Sequence, residues 1–125
     1  MTTEKGKAVD IDRGREAREF ADRLERFNDP NMYQPAHMSY GFNPGAKLTG
    51  SSIVEDERVL GATEWGIGNI RPKLVPDACG SVPAAFHTDG ICLNSSVWVD
   101  DIQIMDKGKI IHPPELVRLA EDLKK

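Results

Sequence analysis

The 125-residue chain has three histidines, His37, His87 and His112, so each imidazole can be weighed by its own neighbours. His87-Thr88-Asp89 carries the clearest chemistry. In an extended segment, residues two apart point to the same face, so this imidazole and carboxylate project together, as two ligands of one metal ion must. The same pair also suits a surface hydrogen bond or a satisfied core histidine. His37 stands in an apolar-looking stretch, Pro35-Ala36-His37-Met38, where a buried, hydrogen-bonded histidine is the ordinary expectation. Glu64 lies between Thr63 and Trp65 in a glycine-rich segment, and a carboxylate among apolar positions needs a partner. Together His37, His87, Asp89 and Glu64 make two imidazoles and two carboxylates, a donor set suited to Fe(II), Mn(II) or Zn(II). His112, just ahead of Pro113-Pro114, reads as a capping or solvent-exposed residue.

Other chemistries find less support. Cys79 and Cys92 are too far apart for a CxxC metal knuckle and too few for a disulfide scaffold. They read as reduced, mostly buried thiols, and neither has the electropositive setting of a nucleophile paired with His87. Gly66-Ile67-Gly68 lacks the third glycine and the following helix of a dinucleotide fold, and no GxxxxGK[ST] phosphate loop occurs. Ser51-Ser52 and Ser95-Ser96 have no G-x-S-x-G elbow around them. Asp100-Asp101 and Asp106-Lys107-Gly108 read as hairpin turns rather than a calcium loop.

The elements that must position these residues can be read from periodicity. Residues 1–11 are polar and read as a frayed, flexible start. From Asp12, a reasonable N-cap, Ala17, Phe20, Ala21, Leu24 and Phe27 recur at helical spacing and predict a helix over 13–28 that ends before Asp29-Pro30. The middle, 31–94, is rich in glycine and proline. It predicts strands at 36–42, 61–69 and 84–93, a helical turn within 54–60, and a loop from Arg71 to Pro83. A meander follows at 97–99, 102–104 and 109–111, and Pro113-Pro114 opens a final helix with Leu116, Leu119, Ala120 and Leu123 on one face. The order α, several β, α predicts an α+β fold in one domain over 1–125: a small, mostly antiparallel sheet flanked by an N-terminal and a C-terminal helix.

Length supports that single domain. With 16 Lys plus Arg against 20 Asp plus Glu, the net charge is -4 and no basic stripe marks a nucleic-acid or lipid surface. Apolar runs such as Val97-Trp98-Val99 are far too short to span a membrane, and the first residues lack a signal peptide's apolar region. A cytoplasmic protein with no nucleic-acid or membrane partner is expected.

One pattern is more specific than any single motif. The run HMSYGFNPGAKLTGSSIVEDERVLGATEWGIGN, then HTDG at 87–90, then VWVDDIQIMDKGKII resembles the C-terminal part of a metalloenzyme superfamily. That superfamily holds the aminopeptidase T type leucyl aminopeptidases and the 2,5-dihydroxypyridine 5,6-dioxygenases. The resemblance covers roughly 12–112, and NDPNMYQPAH resembles the dioxygenase branch in particular. It implies that His37, His87 and Asp89 are metal ligands. The peptidases have a further ligand histidine at the place taken here by Glu64, so Glu64 matches neither branch and stands as a fourth ligand, a base or an outer partner.

Three functions follow as expectations. The leading one is a mononuclear non-haem Fe(II) dioxygenase cleaving a small (hetero)aromatic molecule, the three ligands leaving open positions for substrate and dioxygen. The second is a hydrolase or hydratase with Glu64 as catalytic base on metal-bound water. The third is a non-catalytic subunit that keeps the fold. Relatives carry a large N-terminal domain that these 125 residues do not include, which implies a homo-oligomer or a partner subunit to cover the site.

Overall fold

The computed structural model describes residues 1–71 and 83–125, so Cys79 and most of the loop expected from Arg71 to Pro83 lie outside the described residues. The class is α+β as the sequence predicts, but the strands are divided among three sheets rather than one. Sequence order runs β1 (Thr2–Glu4), β2 (Lys7–Asp10), α1 (Arg15–Glu25), a 3-10 turn (Pro30–Tyr33), β3 (Pro35–Tyr40), α2 (Ile53–Asp56) and β4 (Thr63–Gly68). It continues with β5 (His87–Cys92), β6 (Val97–Val99), β7 (Ile102–Asp106), β8 (Lys109–Ile110) and α3 (Pro114–Asp122). Among the described residues no helix is long and apolar enough to cross a membrane.

The polar start is a hairpin rather than a frayed end. Lys5 and Gly6 both take positive φ, 49° and 74°, the geometry of a turn whose twist matches two antiparallel strands. Lys107 and Gly108 do the same between β7 and β8, at 45° and 79°. Alternation of polarity is weak in 1–11, which is why the sequence pattern hides the hairpin.

The chain divides into two compact units, with boundaries inside β3, β4 and β5. The first comprises Met1–His37 and Trp65–Asp89. Its core is Leu24, Met32 and Ile67, all fully buried, with Phe20, Phe27, Tyr33 and Trp65 packed around them. Phe20 meets Trp65 edge to face, with ring centroids 5.6 Å apart, a favoured aromatic geometry. Helix α1 thus buries the stripe the sequence predicts, over a shorter span than 13–28. Gly14, not Asp12, is its N-cap and no side chain caps it. Asn28 at φ 48° turns the chain out of it, and Asp29 then caps the 3-10 turn by accepting from Asn31 N at 2.9 Å.

The second unit comprises Met38–Glu64 and Gly90–Lys125. Val97, Met105, Ile110 and Ala120 form its core, with Leu116 and Val117 against them. On α3 the covered face is therefore Leu116, Val117 and Ala120, while Leu119 and Leu123, expected on the same face, are exposed. Buried Asp56 accepts from Thr49 N at 2.7 Å and Gly50 N at 2.9 Å, so it folds the 49–52 loop onto α2. Cys92 is free and exposed, against the expectation of a buried thiol.

Candidate metal centre

The site is built on the middle sheet, whose strand order is β3-β4-β5. His37 comes from β3 and His87 and Asp89 from β5, the two strands that flank β4. Strands two places apart in a sheet are about 10 Å apart, yet the imidazoles of His37 and His87 stack with centroids 5.1 Å apart and planes 18° from parallel. They lean inward over β4, and they can do so because Gly66 lies beneath them. A Cβ built on Gly66 would overlap the His37 ring and stand 2.9 Å from His87 Cε1. The glycine-rich run of β4 is thus the floor on which two rings meet, a use that dinucleotide-motif reasoning does not anticipate.

Alternation along β5 puts His87 and Asp89 on one face, as the sequence predicts. His87 Nε2 stands 2.8 Å from Asp89 Oδ1, and His37 Nε2 is 3.6 Å from the same oxygen. One ligand atom from each of the three residues lies within 4.8 Å of the other two. Their side chains are 41 % (His37), 34 % (His87) and 24 % (Asp89) exposed. The expectation of a buried His37 is therefore corrected: its strand is an outer one of the sheet and the ring faces solvent on one side. Thr88, between the two ligand candidates, has a buried Oγ1 with no hydrogen-bond partner among the described residues.

The other nitrogen of His87 decides what the first can do. Nδ1 is 2.7 Å from the backbone oxygen of Asn69. A carbonyl oxygen only accepts, so Nδ1 carries the hydrogen and Nε2 of the neutral ring presents a lone pair. That lone pair faces a carboxylate oxygen, another acceptor, at 2.8 Å. Two acceptors at this distance need a positive species between them, either a second ring proton or a metal cation. A cation bound by ligand bonds of about 2.1 Å sets neighbouring ligand atoms about 3 Å apart, close to the two distances to Asp89 Oδ1. A histidine that ligates through one nitrogen and donates its other N–H to a carbonyl is also the usual arrangement at metal centres. The three residues fit a divalent ion.

Asn69 and Gly66 are the residues that sequence reasoning missed. No side-chain motif signals a backbone carbonyl, and the only trace of Gly66 is its place in a glycine-rich strand. Glu64, the remaining sequence candidate, lies on β4 in the second unit; it is 1 % exposed and accepts from Ser39 Oγ at 2.7 Å. The partner that its buried carboxylate requires thus includes a serine two residues beyond His37 in β3. His112 is exposed and belongs to the second unit. His112→Ala should leave divalent-metal affinity within twofold of the parent, as read by competition with a chromophoric chelator.

Comparison with known proteins adds what geometry cannot. The profile of the 2,5-dihydroxypyridine 5,6-dioxygenase family matches residues 1–112. A 2,5-dihydroxypyridine 5,6-dioxygenase of Pseudomonas putida KT2440 is 28 % identical over 119 residues, which is 92 % of this chain and 34 % of that protein. The solved structure of 2,5-dihydroxypyridine dioxygenase from Pseudomonas putida KT2440 superimposes with a TM-score of 0.70 at 25 % identity, over 90 % of this chain and 33 % of that one. The chain spans about a third of the length of the relatives it matches. Because the family profile covers nearly the whole sequence and the fold agrees with it, the chain belongs to the 2,5-dihydroxypyridine 5,6-dioxygenase family.

Proposed function

We propose that His37, His87 and Asp89 hold one divalent ion, and that the chain is the metal-holding part of a cytoplasmic dioxygenase acting on a small hydroxylated (hetero)aromatic ring. The observation that carries this reading is the Nε2 of His87 turned to Asp89 Oδ1 at 2.8 Å while its Nδ1 faces the Asn69 oxygen, with His37 Nε2 beside it. Fe(II) is the ion that a two-histidine, one-carboxylate face suits, with Mn(II) and Zn(II) as the competitors to be separated by titration. When bound, such an ion supplies open positions at which an electron-rich ring and dioxygen can meet.

The chain's own residues do the rest. Two neutral imidazoles and one carboxylate leave a divalent site with a net positive charge, which favours an ionised ring hydroxyl as the bound group. The partial exposure of the three side chains gives a substrate access. The same openness supports a homo-oligomer or a partner chain as the cover that keeps bulk water out. The names of the relatives support oxygen chemistry over hydrolysis; a base role for Glu64 rests on its burial and its bond to Ser39 alone.

An oxygen electrode tests the reading. The Fe(II)-loaded chain should consume one O2 per 2,5-dihydroxypyridine lost, because both oxygen atoms enter the product and no reductant is needed. Substrate loss without oxygen uptake would turn the assignment to hydrolysis. No substrate loss, in a chain that light scattering shows to be assembled and that holds its metal, would leave a binding subunit.

A further inference from the structure

Asn69 is bound to the segment that leads into His87 through three of its own atoms. Its N–H donates to the Phe86 oxygen at 2.8 Å, its side-chain Oδ1 accepts from Ala84 N at 3.1 Å, and its backbone oxygen accepts from His87 Nδ1 at 2.7 Å. The strand end that carries Asn69 is itself clamped. Gly68 N donates to the Gln34 oxygen at 2.8 Å, and Gln34 Nε2 returns a bond to the Gly68 oxygen at 3.0 Å. The peptide before Asn69 is therefore held at both of its polar atoms and the Asn69 side chain is tied to Ala84, so the 69 carbonyl is aimed at the imidazole from its N-terminal side.

We propose that Asn69 is a positioning residue that sets the tautomer of His87: its side chain holds the 69 carbonyl on Nδ1, so that Nε2 is always the nitrogen offered to a cation. This deepens the proposed function and rests on it. Without the Ala84 bond the peptide after Asn69 gains freedom to rotate, the carbonyl leaves Nδ1, and the ring is free to carry its hydrogen on Nε2. Such a ring presents a donor, not a ligand, at the site. Losing an outer partner of this kind costs about 10–100-fold in metal affinity.

Asp29 provides the comparison that a purely structural role requires. Its Oδ2 accepts from Ala85 N at 2.8 Å, so it tethers the same segment without touching the His87 ring or the 69 carbonyl. Three variants, Asn69→Ala, Asn69→Asp and Asp29→Ala, would be compared with the parent by long-range 1H–15N NMR of the histidine rings and by Zn(II) competition titration. The parent should show hydrogen on Nδ1 of His87. Asn69→Ala should show mixed tautomers and bind Zn(II) about 10–100-fold more weakly. Asn69→Asp, which keeps an acceptor for Ala84 N, should restore both readings. Asp29→Ala should lower the melting temperature without moving the tautomer.

Hydrogen on Nε2 of the parent with none on Nδ1 would overturn the inference, and this holds even if Asn69→Ala does not fold. So would a folded Asn69→Ala whose Zn(II) affinity stays within twofold of the parent with its tautomer unchanged. In both cases normal Zn(II) uptake by the parent would leave the metal reading standing. A parent that takes up no Zn(II) would instead remove the metal reading, and this inference with it.

Discussion

His37→Ala and His87→Ala should each lower divalent-metal affinity by more than about 100-fold while leaving the chain folded. Removing a ligand outright must cost more than the about 10–100-fold lost with an outer hydrogen-bond partner. The fold should survive both changes, because these rings are 41 % and 34 % exposed and belong to neither hydrophobic core, so their loss opens no cavity there. His87→Ala carries one further consequence. It leaves the Asn69 carbonyl without its His87 Nδ1 partner. Chelator competition gives the affinity and circular dichroism the fold. Parent-like affinity in either variant would remove that residue from the ligand set.

The second large effect is expected at a residue with no side chain. Gly66→Ala should weaken metal binding by about 100-fold with little change in melting temperature. The atoms that a Cβ would meet are His37 Cε1 and Nδ1 and His87 Cε1, the far ends of two side chains that can rotate. The rings would swing apart, which relieves the clash and separates the ligand atoms. Gly68→Ala provides the contrast on the same strand. There the obstacle is the backbone oxygen of Phe86, and the φ of 95° already disfavours a Cβ. That variant should lose stability first, by about 1–3 kcal/mol or more. If Gly66→Ala instead bound metal like the parent, the stacked rings over β4 would not be the geometry that holds the ion.

The pairing of His87 with Asp89 was legible because it needs only local information: alternation along one strand decides it. Helix α1 was legible for the same reason, since its apolar stripe is periodic and Leu24, Phe20 and Phe27 do pack inward. The place of His37 was legible only by resemblance. Fifty residues of chain separate it from His87, and no local rule says which strands become neighbours. Its expected burial was wrong because an outer strand of the sheet exposes what an apolar sequence context suggests is covered. The hairpin at 2–10 was missed because its turn, Lys5-Gly6, lacks the usual Asn-Gly signature. Spacing alone puts Leu119 and Leu123 inward, whereas Leu116, Val117 and Ala120 are the α3 residues that meet the core of Val97, Met105 and Ile110. Asn69 and Gly66 were invisible for opposite reasons: one contributes a backbone atom that every residue has, the other contributes empty space.

The proposal that His37, His87 and Asp89 hold one divalent ion between them is tested most directly by the metal content of the chain after anaerobic loading with Fe(II) and removal of excess ion by gel filtration. One iron per chain in the parent, falling to background in the His37→Ala/His87→Ala double variant, is the predicted result. A parent that emerges folded but without iron, manganese or zinc, or a double variant that still retains one ion per chain, would contradict it.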